Sequence, residues 1–195
     1  PAHAIRAEQT FNGQSWPNRG DQGVKPRLGT CRYDDLTPEK PTPSSGTSLQ
    51  VQAYPLNHGG VESTAFLLTN GPDALLYLGD TGPDAPQHSD HLHRLWQAVA
   101  PLVRQKHLHA IMIECSYDNS ISDSHLYGHL TPHWVEAELE DLQQIAGVSL
   151  KNLPVVITHV KPTLKRQQDP VLRIHEELEA GNTTGVHFIM AAQSL

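Results

Sequence analysis

The stretch Ala74-Leu75-Leu76-Tyr77-Leu78-Gly79-Asp80-Thr81-Gly82 decides how the rest of the chain is read. Its apolar run is short and follows the turn residues Asn70-Gly71-Pro72-Asp73, which predicts a buried strand rather than a helix. The run ends on one carboxylate, Asp80, between two glycines that leave room for a ligand to approach. Leu153-Pro154-Val155-Val156-Ile157-Thr158 has the same form and delivers His159, and Leu56-Asn57-His58-Gly59-Gly60 puts His58 at another element end. An aspartate between glycines is also an ordinary turn residue. Two such strand ends together favour a shared site, because ligands of α/β folds bind beyond the carboxyl ends of strands. Imidazole plus carboxylate is the donor set that suits Zn²⁺ or Mn²⁺, so His58, Asp80 and His159 are the candidate metal ligands.

Working outward, Leu49 to Pro55 alternates apolar and polar residues as a half-buried strand does. Ser63 to Thr69 and Ala74 to Leu78 flank turn chemistry and are expected to form a hairpin. Leu92, Leu95, Trp96, Val99 and Val103 recur at helical spacing within Asp90 to Arg104, and His109 to Ile113 is an apolar strand. Thr131 and Pro132 open a second helix that Gly147 stops. Leu153 to Thr158, Pro170 to Ala180 and Val186 to Ala191 then read as strand, helix and strand. This alternation predicts an α/β layer fold. Residues 1–47, rich in breakers such as Pro38, Pro41, Pro43 and Gly46, are expected to be an irregular segment of the same domain, anchored by Phe11 and Trp16, with 48–195 as its regular part.

At 195 residues the chain has the length of one domain, and its formal charge of −7 argues against broad contact with nucleic acid. That charge does not argue against a small phosphate ester, since bound divalent ions dominate their local field. Two cysteines, Cys31 and Cys115, suggest neither a disulfide framework nor a cysteine zinc site, and Cys115 is expected to be simply buried. No run approaches the ~20 apolar residues of a membrane span, so no membrane partner is expected. The compartment, periplasmic or cytoplasmic, is left open.

Most of the 13 histidines cannot be functional. His91 and His93 lie two apart on a predicted helix, do not face one another, and read as a solvated face. His107 and His109 share a face of a strand start but have no further ligand nearby. Gly128-His129-Leu130-Thr131-Pro132 sets His129 just before a helix, and Glu114 ends the preceding strand. A carboxylate beside an imidazole fixes the ring and raises its basicity, so Glu114 and His129 are the candidate acid–base pair for a leaving oxygen. The plainer alternative makes them a loop anchor and a capping residue.

In order, Asn57-His58-Gly59, Ser63-Thr64-Ala65-Phe66, Leu78-Gly79-Asp80-Thr81-Gly82, Ile113-Glu114-Cys115-Ser116-Tyr117, Tyr127-Gly128-His129-Leu130-Thr131-Pro132 and Ile157-Thr158-His159-Val160-Lys161-Pro162 resemble the class II 3′,5′-cyclic-nucleotide phosphodiesterases. Phe11-Asn12-Gly13 and Trp16-Pro17-Asn18 fit as well. The resemblance implies the metallo-β-lactamase αββα sandwich and a centre of two divalent ions, usually zinc. In it His58 and His159 each hold one ion, Asp80 bridges both, and His129 steered by Glu114 gives up a proton. The implied reaction is hydrolysis of the 3′ ester of cyclic AMP or cyclic GMP to the 5′-nucleotide. The family's His-x-His-x-Asp-His loop is missing from this sequence. The chain is therefore expected to represent mainly the C-terminal half of the fold, with one sheet face uncovered and with self-association as a homodimer through that face. The rival expectation is a catalytically inactive truncated remnant that binds nucleotide or pairs with itself.

Overall fold

The computed structural model describes residues 18–20, 27–31, 35–162 and 169–192. The chain divides into two units, Pro1–Leu36 and Thr37–Leu195. In the first, β1 (Asn18–Gly20) pairs in parallel with β2 (Arg27–Cys31). The second holds β3 (Thr42–Pro43), β4 (Gln50–His58), β5 (Val61–Asn70), β6 (Asp73–Leu78), α1 (Asp84–Gln87), α2 (His91–Arg104) and β7 (Leu108–Glu114). A 3₁₀ turn (Asp123–His125), α3 (Pro132–Ala146), β8 (Pro154–Thr158), α4 (Pro170–Gly181) and β9 (His187–Met190) complete it. β1 to β3 fall within the segment expected to be irregular; they are too short to show a period. Phe11 and Trp16 lie outside the described residues.

The seven strands β3 to β9 form one sheet in chain order. β3, β4, β5 and β6 pair antiparallel, whereas β6, β7, β8 and β9 run parallel and are joined through helices. β4 lies two antiparallel steps from β6, so it points the same way. The carboxyl ends of β4, β6, β7 and β8 therefore share one edge of the sheet, which places His58, Asp80, Glu114 and His159 together.

One face of the sheet meets the helices. Leu67, Leu76, Ile111, Val155 and Phe188 are register partners across five strands and are all buried. They pack with Leu92, Leu95, Trp96 and Val99 of α2, Val135, Leu139 and Leu142 of α3, and Ile174 and Leu178 of α4. The apolar positions of α2 lie at the spacing read from the sequence, and all five named there are buried. Thr131 stands at the N-cap of α3 without a side-chain capping bond, and Gly147 closes that helix at φ 66°. Asp169 caps α4 through the amides of Val171 and Leu172.

The opposite face is different. Phe66, Tyr77, Met112, Val156 and Ile189 form the adjacent row, and Tyr77 and Ile189 are 42% and 40% exposed. Leu75 on the same face is 43% exposed. The α/β class is thus as expected, with the helices of the second unit layered on one face of a single sheet. Among the described residues no helix is long and apolar enough to cross a membrane.

His93 does not simply face solvent: its Nδ1 meets Asp141 of α3 at 2.8 Å. His91 is half-buried with its Nδ1 unpartnered. His93 is thus exposed, as a solvated face requires, and also paired with an acid of the neighbouring helix, whereas His91 is partly covered. His109 pairs with Asp73 at 2.7 Å across neighbouring strands. Cys115 is buried, and burial followed by the charge of Glu114 pushes its thiol well above the ordinary range.

Two acids of α3 are also buried. Glu138 accepts from Trp96 Nε1 at 2.9 Å and from the Asp84 amide at 3.4 Å. Both oxygens of Glu136 are buried without a partner. Burial, with Glu140 and Glu179 nearby, raises the Glu136 carboxyl from 4.5 to about 7. A raised folded-state value favours folding fully below pH 4.5, and that contribution is lost as pH rises through 7. Glu136→Met should therefore gain about 1–3 kcal/mol at pH 8, the cost of an unsatisfied buried charge, and the gain should vanish by about pH 4–5 in denaturant titrations. On the sheet, Leu76→Ala should cost about 2–5 kcal/mol and Leu75→Ala much less by the same measurement, because only Leu76 fills a closed core.

Candidate functional site

His58 is the last residue of β4, and its partner in register is Val61, so Gly59-Gly60 alone make the turn. Both glycines have positive φ, 61° and 86°, as a tight hairpin of this twist requires. The ring Nδ1 of His58 lies 2.8 Å from the Gly128 carbonyl oxygen. A carbonyl can only accept, so Nδ1 carries the proton and Nε2 keeps a free lone pair, the form of a metal-ligating imidazole. Gly128, at φ 84°, is needed for that contact: a Cβ there would collide with the backbone of His58 and Gly59.

Asp80 follows β6 by way of Gly79, whose amide bonds Thr64 O at 3.0 Å. The next residues fasten its loop to two other elements. Gly82 N donates to Asn57 O at 3.0 Å, and Thr81 N donates to Glu114 Oε1 at 3.0 Å. Gln87 completes the link, with Oε1 accepting from Gly59 N at 2.7 Å and Nε2 donating to Asn57 O at 3.2 Å. The Asp80 loop and the His58 turn are thus held as one piece.

His159 leaves β8 with φ 57°, a left-handed conformation uncommon for a residue with a side chain and found at functional sites. Its Nε2 lies 3.3 Å from Asp80 Oδ2. His129 sits between the other imidazoles: its ring centroid is 4.5 Å from that of His58 and 5.3 Å from that of His159. The donor atoms of His58, Asp80 and His129 fall within 4.8 Å of one another. All the residues singled out from the sequence therefore converge, His159 through Asp80.

Glu114 and His129 form the expected pair, Nδ1 to Oε1 at 2.6 Å, both buried. Ser116 Oγ lies 2.7 Å from Glu114 Oε2 and 3.1 Å from the His159 carbonyl oxygen, and Leu130 N donates to Glu114 Oε2 at 3.3 Å. On the far side of the ring, Lys161 Nζ is 2.7 Å from His129 Nε2 and 3.1 Å from the Tyr117 hydroxyl. An ammonium only donates and a carboxylate without its proton only accepts. His129 is thus oriented with its proton on Nδ1 and its Nε2 lone pair toward Lys161.

Lys161, Tyr117, Ser116 and Gln87 received no role from the sequence. A signal existed for the first of these, since Lys161 stands two residues past His159 in the same strand-end loop. Gln87 left no such trace: it reaches the His58 turn from a helix 28 residues beyond Gly59.

The fold is that of metallo-β-lactamase proteins. The chain superimposes on the metallo-β-lactamase fold protein YhfI of Bacillus subtilis with a TM-score of 0.55 at 15% identity, over 85% of this chain and 56% of that one. It superimposes on unliganded yeast PDE1 with a TM-score of 0.81 at 27% identity, over 97% of this chain and 55% of that one. Within that fold group the chain belongs to the family of class-II cAMP phosphodiesterases, which residues 3–193 match. It is 40% identical over 185 residues to the 3′,5′-cyclic-nucleotide phosphodiesterase of Aliivibrio fischeri, covering 94% of this chain and 56% of that relative. It is equally 40% identical over 185 residues to a probable 3′,5′-cyclic-nucleotide phosphodiesterase of Yersinia pestis, covering 94% of this chain and 54% of that relative. The chain thus spans about half the length of the curated relatives it matches.

The donors suit a divalent ion: borderline imidazole nitrogen and hard carboxylate oxygen, with the His58 tautomer already set by Gly128. The buried Glu114 carboxylate is what holds the surrounding loops. Glu114→Ala would strip the acceptor from Thr81 N, Leu130 N and His129 Nδ1. It should lower unfolding stability by about 3 kcal/mol or more in denaturant titrations, since each buried donor left unpaired costs about 1–3 kcal/mol. Glu114→Gln, which keeps one oxygen, should cost less.

Proposed function

We propose that this chain supplies the C-terminal part of a metal-dependent phosphodiesterase that opens the 3′ ester of cyclic AMP or cyclic GMP and gives the 5′-nucleotide. The observation that carries this reading is the convergence of His58, Asp80 and His159 beside the Glu114–His129 pair, in a chain of the class II family. The names of the relatives supply the substrate class, a small cyclic nucleotide. The rival reading, an inactive remnant, has no comparable support.

His58 Nε2, Asp80 and His159 are the proposed metal ligands, and zinc in two sites is the proposed loading. His129 is set aside from that group because both of its ring nitrogens already have partners, Glu114 and Lys161. Three donors are too few for two zinc ions, each of which takes about four ligands. The remaining ligands are proposed to come from sequence corresponding to the half of the relatives that this chain does not match, in the His-x-His-x-Asp-His loop of the family. Divalent ions held there would supply Lewis-acid polarisation of the phosphoryl group and an acidified water.

The chain's own residues do the rest. Gly128, Gln87 and Glu114 fix the rings and loops, so little reorganisation is needed when a substrate arrives. His129, its Nδ1 held by Glu114 and its Nε2 facing the Lys161 ammonium, stands beside the proposed ligands and is the proposed proton carrier, a proton taken up at Nε2 being the one delivered to the 3′ oxygen.

In the full-length protein Asp80→Asn should remove tightly bound zinc and lower kcat/KM by more than the roughly 10–100-fold typical of an outer partner of a metal ligand. Metal analysis after dialysis, paired with turnover of cyclic AMP and cyclic GMP, checks this. Full activity in Asp80→Asn would end the proposal.

A further inference from the structure

Lys161 is the one cation set directly against the site's histidines by the described hydrogen bonds, and neither composition nor the metal reading gives it a task. Its backbone is fixed first. Lys161 N donates to Ser116 O at 3.1 Å, which ties the loop after β8 to the loop after β7. Its side chain then reaches back over the site. Nζ lies 2.7 Å from His129 Nε2, 3.1 Å from the Tyr117 hydroxyl, and 4.9 Å from the centre of the Tyr117 ring. Both hydrogen-bond partners are neutral acceptors and occupy two of the three ammonium protons. Neither cancels the charge. The Glu114 carboxylate reaches Lys161 only through the His129 ring. The Tyr117 ring face adds a weak attraction that steadies the ammonium without neutralising it.

We infer that Lys161 is the anion-binding residue of this site: its ammonium, held between His129 and Tyr117, takes a non-ester oxygen of the substrate phosphoryl group. The inference rests on the phosphodiesterase reading and sharpens it by naming where the phosphate is gripped. A cyclic nucleotide brings one negative charge to a chain whose formal charge is −7, and a local cation beside the reacting group favours its approach. Lysine serves as a compact point charge for phosphate. Its ammonium touches His129, whose ring in turn lies 5.3 Å from that of His159 and 4.5 Å from that of His58, so one ring separates it from two of the proposed metal ligands. The charge that grows on the phosphoryl oxygens during attack is then met by a donor already in position.

The test uses the full-length, zinc-loaded protein and two readouts. One is turnover of cyclic AMP and cyclic GMP; the other is calorimetric binding of 5′-AMP, which needs no chemistry. Lys161→Ala should raise KM about ten-fold or more and weaken 5′-AMP binding by a similar factor, the size expected for one hydrogen bond to a charged group. Its zinc content should match that of the parent. Lys161→Arg, which keeps the charge, should recover most of both losses. Tyr117→Phe removes one holder of the ammonium and should raise KM by a smaller factor; it also serves if Lys161→Ala does not fold. Unchanged KM and 5′-AMP affinity in Lys161→Ala, or in Tyr117→Phe where that variant stands in, overturns the inference, and so does loss of zinc in Lys161→Ala. A parent protein that neither turns over nor binds these nucleotides overturns the phosphodiesterase reading instead, and with it the role given to Lys161.

Discussion

A single buried carboxylate sets the geometry of the whole edge. Glu114 ends β7, a central strand of the sheet, at 1% exposure. Its two oxygens meet Thr81 N, Leu130 N, the His129 ring and the Ser116 hydroxyl, which come from three chain segments. In a low-dielectric interior each of these bonds is strong, and each would be costly to leave unmade. The loops have little freedom to settle elsewhere. Asp80 is one residue from Thr81, and the His159 carbonyl oxygen lies against Ser116. Fixing Glu114 therefore fixes both of its strand-end neighbours. The parallel order of β6, β7 and β8 does the coarse placement, and the carboxylate does the fine placement.

That division explains what the sequence disclosed. β5, β6, β7, β8, α2 and α3 show in the chain because each buries a face or a full strand, and burial leaves a period. Asp80, Glu114 and His159 were legible because each stands at or just past the end of such a strand. β3 and α1, of two and four residues, are too short for any period to appear. Gln87 and Lys161 escaped for another reason. Their bonds span 28 and 32 residues to Gly59 and His129, and only tertiary packing joins those points. The partner of His93 was hidden in the same way: the residue is exposed as its helix face suggests, but Asp141 reaches it from α3.

Two features of the second unit stand beside the proposed function. Row by row, the sheet places Leu76 against helices and Tyr77 against open space, although both belong to an apolar strand. On that face Tyr77, Leu75 and Ile189 are exposed, whereas Phe66, Met112 and Val156 are half-buried. At the carboxyl edge, the proposed ligands His58, Asp80 and His159 are three, fewer than the proposed pair of zinc ions would take. The proposed origin of further ligands agrees with that count, since the relatives are about twice as long as the matched region.

The electrostatics of the edge follow from the same economy of placement. The chain is acidic, yet what it presents beside the proposed metal ligands is an ammonium set against the His129 ring. Glu114 is spent on backbone and side-chain donors, so its charge is turned inward rather than toward an incoming anion. His129 separates the two opposite charges by the width of one ring. Net charge therefore says little about what the site attracts: an anionic ester would meet Lys161 and the proposed metal ligands, while Glu136 and Glu138 of α3 are set into the helix layer.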